Sequence, residues 1–379
     1  MADPEIDMVE LLKSATNLIA NPPVLFTLIL VAFFFLFPIN NWFQSWNRRM
    51  GLEALWTPRG ACLGAFAMTL FLGIGVMDAN FRAVVMKPDN VPIVGLVYLV
   101  PFFLWLAMKQ ATENDRRLRA GQPPAEHDPD DNRVLVWPDL VYIELIALVL
   151  MTVFLIVWSL AIAAPLEGPA NPTVSPNPSK APWYFLALQE MLVYFDPWIA
   201  GVVLPALMVF ALMAIPYIDN NPKGQGYYSF SERKMAIALF LFCWLVLWVL
   251  LIVVGTFLRG PNWNFFGPFE YWDVHKTVAL DNINLSEYVY VLWMGTGLPD
   301  SVLLREIWGI LLLLGYFLVM PLLLARTLLK QHLQSLGALR YSVFVMVTLI
   351  MFFLPIKMYL RWLFTLKYII AIPEISFNI

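Results

Sequence analysis

Residues 140–164 read LVYIELIALVLMTVFLIVWSLAIAA, twenty-five positions carrying one charge, Glu144. A helix rises 1.5 Å per residue, so about 20 apolar residues cross the ~30 Å hydrocarbon core of a bilayer. No water is available there, so every backbone N–H and C=O must be paired within the helix. This stretch predicts a transmembrane helix, and it sets the reading of the whole chain. The same length criterion selects seven more spans, at roughly 24–43, 60–77, 91–108, 198–218, 235–258, 306–325 and 341–358. The expected fold is therefore all-α, a polytopic transmembrane helical bundle of about eight transmembrane helices.

Composition agrees. Of 379 residues, 60% are hydrophobic and 13% charged, against about 45–50% and 25% in soluble domains. The net charge of −3 and the placement of basic residues in loops exclude a nucleic-acid partner. Loops 44–59, 109–137, 219–234 and 326–340 hold most of the cations, among them Arg48, Arg119, Arg233 and Arg340. The positive-inside rule puts these loops in the cytoplasm and both termini on the outer side. The start is acidic (Asp3, Glu5, Asp7, Glu10) rather than basic, unlike a cleaved signal peptide. Met8, Leu11, Leu12, Ala15, Leu18 and Ile19 share one face, which predicts a short amphipathic helix lying on the membrane surface.

The expected organisation is an amphipathic segment 1–23, a three-helix membrane part 24–110, a cytoplasmic linker 111–136, a helical part 137–260 with an outer loop, an outer aromatic loop 261–304, and C-terminal membrane helices 305–379. The Pro-rich segment 165–197 and the aromatic segment 259–304 are expected to pack together over the outer helix ends. Their aromatic side chains suit an interface, with one apolar and one hydrogen-bonding end.

Residue chemistry narrows the function. Cys62 and Cys243 both lie in apolar runs, which speaks against a disulfide or a metal site. His127, His275 and His332 all fall in predicted loops, whereas a bis-histidine haem needs histidines facing inward from two helices. There is no Cys-x-x-Cys-His, no cysteine cluster for an iron–sulfur centre and no Gly-rich phosphate loop. The chain is expected to bind no cofactor covalently and no metal. Any electron carriers would belong to other subunits.

Residues 137–165 (WPDLVYIELIALVLMTVFLIVWSLAIAAP), 176–197 (PNPSKAPWYFLALQEMLVYFDP) and the helix end AIPYIDNNP follow in an order that resembles the C-terminal half of cytochrome b. That half occurs separately as subunit IV of plastoquinol–plastocyanin reductase, and the loop resembles the version found in bacterial cytochrome bc-type complexes. The resemblance covers 137 to about 260; residues 1–136 do not share it. It implies a subunit of a bacterial quinol–cytochrome c reductase, in the inner membrane, with quinol or quinone as its ligand. It implies partners too: a haem-bearing cytochrome b N-terminal-half subunit, a Rieske-type iron–sulfur protein, a c-type cytochrome and membrane lipid. A dimer of the complex is a further family expectation.

In the family this loop walls the quinol oxidation site, which implies that Pro182, Trp183, Tyr184 and Phe185 line it. The family's glutamate before Trp-Tyr is Pro182 here. With a helix starting at Pro182, Trp183 and Glu190 fall seven residues apart on one face. The apolar neighbours of Glu190 would raise its pKa by desolvation, making it the expected proton acceptor for quinol. Its competing reading is a carboxylate paired with Lys180 or a partner; that of Trp183 and Tyr184 is an interfacial belt. Asp139, Tyr142 and Glu144 are candidates for a second, cytoplasmic-side quinone site, against a plain role as helix N-terminal residues. The alternative function is a structural anchor subunit that has lost quinol chemistry. A transporter is disfavoured by the absence of an internal repeat.

Overall fold

Residues 8–127, 135–162, 168–169, 171–278 and 281–379 are described by the structure, a computed structural model. Asp3, Glu5, Asp7 and Arg133 lie outside them. Among the described residues seven helices are long and apolar enough to cross a membrane, and an eighth arises if one bent pair is a single span. The chain is a multi-pass all-α membrane protein; among the described residues its only strands are the two-residue pair Ala371–Ile372 and Phe377–Asn378.

The bent pair is α1 (Met8–Ile19) and α2 (Pro22–Leu36), which meet at 74°. α1 buries no residue within its own length. Its Asn17 accepts from the Phe269 amide, and Lys13 pairs with Asp78 at 2.9 Å. The first expected span, 24–43, is helical only as far as Leu36. Phe37 precedes Pro38 and leaves helical geometry (φ −119, ψ 72), because proline's ring disfavours the helical conformation in the residue before it. Asn40 then caps a second helix, α3 (Asn41–Arg49), through its side-chain oxygen on the Phe43 amide.

α4 (Pro58–Gly75), the short α5 (Ala79–Val85) and α6 (Val91–Arg119) complete the N-terminal part. α6 overruns the expected 91–108 by eleven residues, so Lys109, Arg116, Arg117 and Arg119 stand on helix, not loop. The run MKQATENDRRLR consists largely of good helix formers, with an i,i+3 pair between Glu113 and Arg116 and cations at the C-terminal end. α7 (Val141–Ala161) follows a wide turn at Val136–Leu140 and has no buried residue.

After α7 come the short α8 (Leu186–Met191) and the spans α9 (Ile199–Ile218), α10 (Lys234–Leu258), α11 (Ile307–Arg326) and α12 (Lys330–Phe364). α12 is broken at Gly337, whose φ of +75° suits glycine. His332 therefore lies on a helical turn rather than in the expected loop, stacked on Phe344 with ring centroids 5.8 Å apart. Lys357 and Arg361 lie within α12. Lys357 is fully buried and donates to the Lys367 carbonyl.

The core sits around α10, the most deeply buried span, with half of its apolar window covered. Phe242 stacks on Phe352 of α12 at 4.8 Å and meets Phe33 of α2 edge-on at 5.6 Å. The aromatic loops after α7 and α10 join at the end of this core. An amide pair, Asn177 with Asn262, ties them directly at 2.6 and 3.0 Å.

Candidate functional site

Local hydrogen bonds hold the motif loop before α8 in shape. Gln189 accepts from the Ala181 amide at 2.7 Å and donates to the Ser179 carbonyl at 2.8 Å, clamping residues 179–181. The chain then enters a tight turn at Trp183–Phe185, with the Phe185 amide on the Pro182 carbonyl, and continues into α8. Tyr184 and Phe185 are 48% and 49% exposed, and their rings lie 4.6 Å apart. Trp183 meets Tyr184 edge-on at 5.6 Å. The turn thus presents a small aromatic surface away from the core.

Behind it Glu190 is 0% exposed. Of the residues that flank it in sequence, Leu186, Ala187, Met191 and Tyr194 are buried and Leu192 is exposed. Beside these apolar neighbours the carboxylate has a charged partner, Arg259, at the end of α10. The guanidinium forks onto both oxygens, Nη2 to Oε1 at 2.6 Å and Nε to Oε2 at 3.0 Å. The Tyr194 hydroxyl also donates to Oε1, at 3.0 Å. Such two-pronged, charge-assisted contacts are strong and orient the carboxylate. Arg259 further donates to the Trp263 carbonyl. Burial alone would lower the Arg259 guanidinium, but Glu190 and Tyr194 outweigh it and hold it above its ordinary value. Burial raises the Tyr194 phenol, and Glu190 raises it further. A cavity of about 10 Å3 adjoins the pair, walled by α2, α8, α10 and α12, with Glu190 and Tyr194 as its polar members.

Lys180 lies on the same loop. Its Nζ donates to the Thr256 carbonyl at 2.7 Å and sits 4.9 Å over the Trp272 ring. Burial, reinforced by the charge of Lys87, lowers its ammonium to about 7, with Glu190 opposing. The pairing of Glu190 with Lys180, one competing reading, gives way to the pairing with Arg259. The sequence reading assigns no role to Arg259 or to the Tyr194 hydroxyl. The available signal was a lone arginine directly after the apolar run 235–258, which needs a carboxylate wherever it is covered.

The second group stays apart. Asp139 accepts from the Leu135 amide at 3.3 Å, and Tyr142 stacks on Trp137 at 6.1 Å. Glu144 is exposed on α7. No hydrogen bond, ion pair or ring contact among the described residues joins these three to residues 182–190. Of the three histidines only His332 is on a helix, and His127 and His275 are exposed. Among the described residues no group of three or more His, Cys, Asp or Glu could hold a metal ion.

Residues 169–267 match the model of the family described as cytochrome b (C-terminal)/b6/petD. This part of the chain resembles the C-terminal part of cytochrome b. The match takes in the motif turn, Glu190 and Arg259, and leaves out Asp139, Tyr142 and Glu144. Cytochrome b of Acanthamoeba castellanii is 28% identical over 126 residues, 31% of this chain and 32% of that protein. The chain thus spans about a third of the length of this curated relative. No solved structure matches it.

Proposed function

We propose that the chain is a membrane subunit of a quinol-oxidising cytochrome bc-type electron-transfer complex. Pro182, Trp183, Tyr184 and Phe185 form part of the wall of its outer-side quinol site, and Glu190 takes part in proton exit. The reading is carried by one observation: an outward-facing aromatic turn backed by a buried carboxylate, both inside the segment that matches the cytochrome b family. Apolar and aromatic walls with a few polar groups suit a small aromatic ligand such as quinol.

In this reading quinol gives one electron to a Rieske-type iron–sulfur protein and one to b haems in a cytochrome b N-terminal-half subunit. A c-type cytochrome takes the first electron onward, and both protons leave on the outer side. The haems and the iron–sulfur cluster belong to those partners. Glu190 accepts a proton once an oxygen swings off Arg259. Lys180, held near 7, is a second group able to exchange a proton at ambient pH. Asp139, Tyr142 and Glu144 remain proposed for a quinone site at the other end of α7. The complex is placed in a bacterial inner membrane, with both termini of this chain outside.

A second reading has its own support. Both oxygens of Glu190 are used by Arg259, and proline stands where the family carries its glutamate. These favour a structural anchor that has lost quinol chemistry. The deciding experiment follows b-haem reduction by added quinol in the purified complex, for wild type, Tyr184→Ala and Glu190→Gln. Loss of a proton acceptor is expected to slow reduction about 100-fold with haem content unchanged, and Tyr184→Ala to raise the quinol KM. Wild-type kinetics in both variants, or no quinol-dependent reduction in any, would establish the anchor.

A further inference from the structure

A cleft opens at the opposite end of the molecule, among the basic loops. Three stretches distant in sequence build it: the corner between α2 and the start of α4, the end of α6, and the turn before α10. Leu36, Trp56, Met108 and Phe230 give it an apolar floor, and Lys234 and Arg119 reach into it. It holds about 40 Å3, room for roughly three waters at 10–15 Å3 each and so for a group of phosphate size.

Among the described residues the cations at the cleft form no ion pair with a carboxylate. Lys234 Nζ bonds Gln44 Oε1 at 3.1 Å, which leaves two of its three N–H donors free. Arg48 and Arg119 are near enough to act on the same ammonium, and neither forms an ion pair among the described residues. Asp115 is the carboxylate closest to hand, and it is committed elsewhere. It accepts from Ser229 Oγ at 2.6 Å, Ser231 Oγ at 2.8 Å and the Ser231 amide at 3.0 Å. Those donors are neutral, so its charge remains, and Glu53 adds another at the exposed rim. Within the lining two cations, Lys234 and Arg119, stand beside two carboxylates, and Arg48, outside the lining, adds a third positive charge to the neighbourhood.

The level of the cleft says where its occupant comes from. Trp46 carries Arg49 over its ring at 5.4 Å, and Trp105 carries Lys109 at 5.5 Å while donating to the Thr57 carbonyl. Tryptophan beside Lys and Arg at helix ends marks the headgroup region of a bilayer. Cationic pockets between helices on the basic side suit anionic lipid headgroups.

We propose that this cleft binds the phosphate of an anionic phospholipid, with Lys234 and Arg119 on its oxygens and the lipid chains following the apolar floor outward. Arg119 supplies a planar fork and Lys234 a point charge. The lipid would join the N-terminal three-helix part to α10, independently of any quinol chemistry.

The test uses the purified complex carrying the full chain, stripped of lipid by detergent exchange. Its melting temperature is followed against dioleoyl phosphatidylglycerol, dioleoyl phosphatidylcholine or inorganic phosphate, for wild type, Lys234→Gln, Arg119→Gln and the control Arg326→Gln. Phosphatidylglycerol is expected to raise the melting temperature saturably, with phosphatidylcholine inert. Lys234→Gln and Arg119→Gln should need at least about fivefold more lipid, as one lost charged contact implies, and Arg326→Gln no more than wild type. Arg119 is exposed, so its variant keeps the test open if Lys234→Gln does not fold. Equal response in Arg119→Gln and wild type, or equal effect of the two lipids, overturns the proposal. Inorganic phosphate alone giving the full rise would make this a free-phosphate site and overturn the lipid.

Discussion

Arg259 has a side chain 10% exposed and Glu190 one that is wholly covered. Removing one partner of such a pair strands the other charge away from water, at a cost of about 3–5 kcal/mol. Replacing both by apolar groups of similar size restores most of that. Arg259→Met should therefore destabilise the chain strongly, and Glu190→Leu combined with Arg259→Met much less. Denaturant titration of the two variants against wild type checks this; a double variant as unstable as the single one would refute it. Lys180 gives a pH signature. Its ordinary value is 10.5, and burial holds it at about 7 in the folded protein. Between these values the unfolded chain binds more protons than the folded one, so stability rises with pH across 7 to 10.5, and the full penalty applies below 7. Lys180→Met should abolish that rise, read as melting temperature at about pH 6.5 and about pH 9.5, on either side of the folded value. The sequence makes Glu190 conspicuous, because a carboxylate among apolar residues is unusual wherever it occurs. Its partner was not legible, because a pairing between residues 69 apart depends on how two loops fold toward each other.

At the level of elements, legibility followed the physics of each boundary. α7, α9 and α10 stand close to where their apolar runs place them, because lipid-length hydrophobic stretches have few alternatives to helix. The ends of α6 and α12 lay beyond reach of that argument. Polar helix formers extend both helices past the membrane, and a hydropathy window registers only where apolarity stops. The first span failed for the opposite reason: its apolar run continues to Phe43, but Pro38 ends the helix within it. The Pro-rich and aromatic loops meet as expected, yet the contact that joins them, Asn177 with Asn262, uses polar groups that no periodicity marks. Gly309 on α11 shows how close such approaches become. A Cβ there would lie 2.1 Å from the Ile369 carbonyl oxygen.

Across the whole molecule burial is uneven. α10 and α12 form a packed centre, whereas α7 is bare around its circumference and α4 nearly so. Leu148, midway along α7, is 64% exposed. In a bilayer that surface meets lipid tails or a neighbouring subunit, not water. In a background with Cys62→Ser and Cys243→Ser, Leu148→Cys should resist a membrane-impermeant maleimide in intact membranes, while Thr173→Cys on the Pro-rich loop is modified. Labelling of both would show that α7 does not span. The long-range ion pair also orders the making of the protein. A ribosome adding roughly 5–20 residues per second delivers Arg259 about 3–14 s after Glu190. Until then the carboxylate lacks the partner that forks onto both its oxygens, and full burial of α8 would strand its charge. The short helix can settle only after α10 has been threaded through the bilayer and its far end has emerged. Insertion of α10 is thus the event that locks the motif turn in place, and a truncation before residue 259 leaves that turn unanchored.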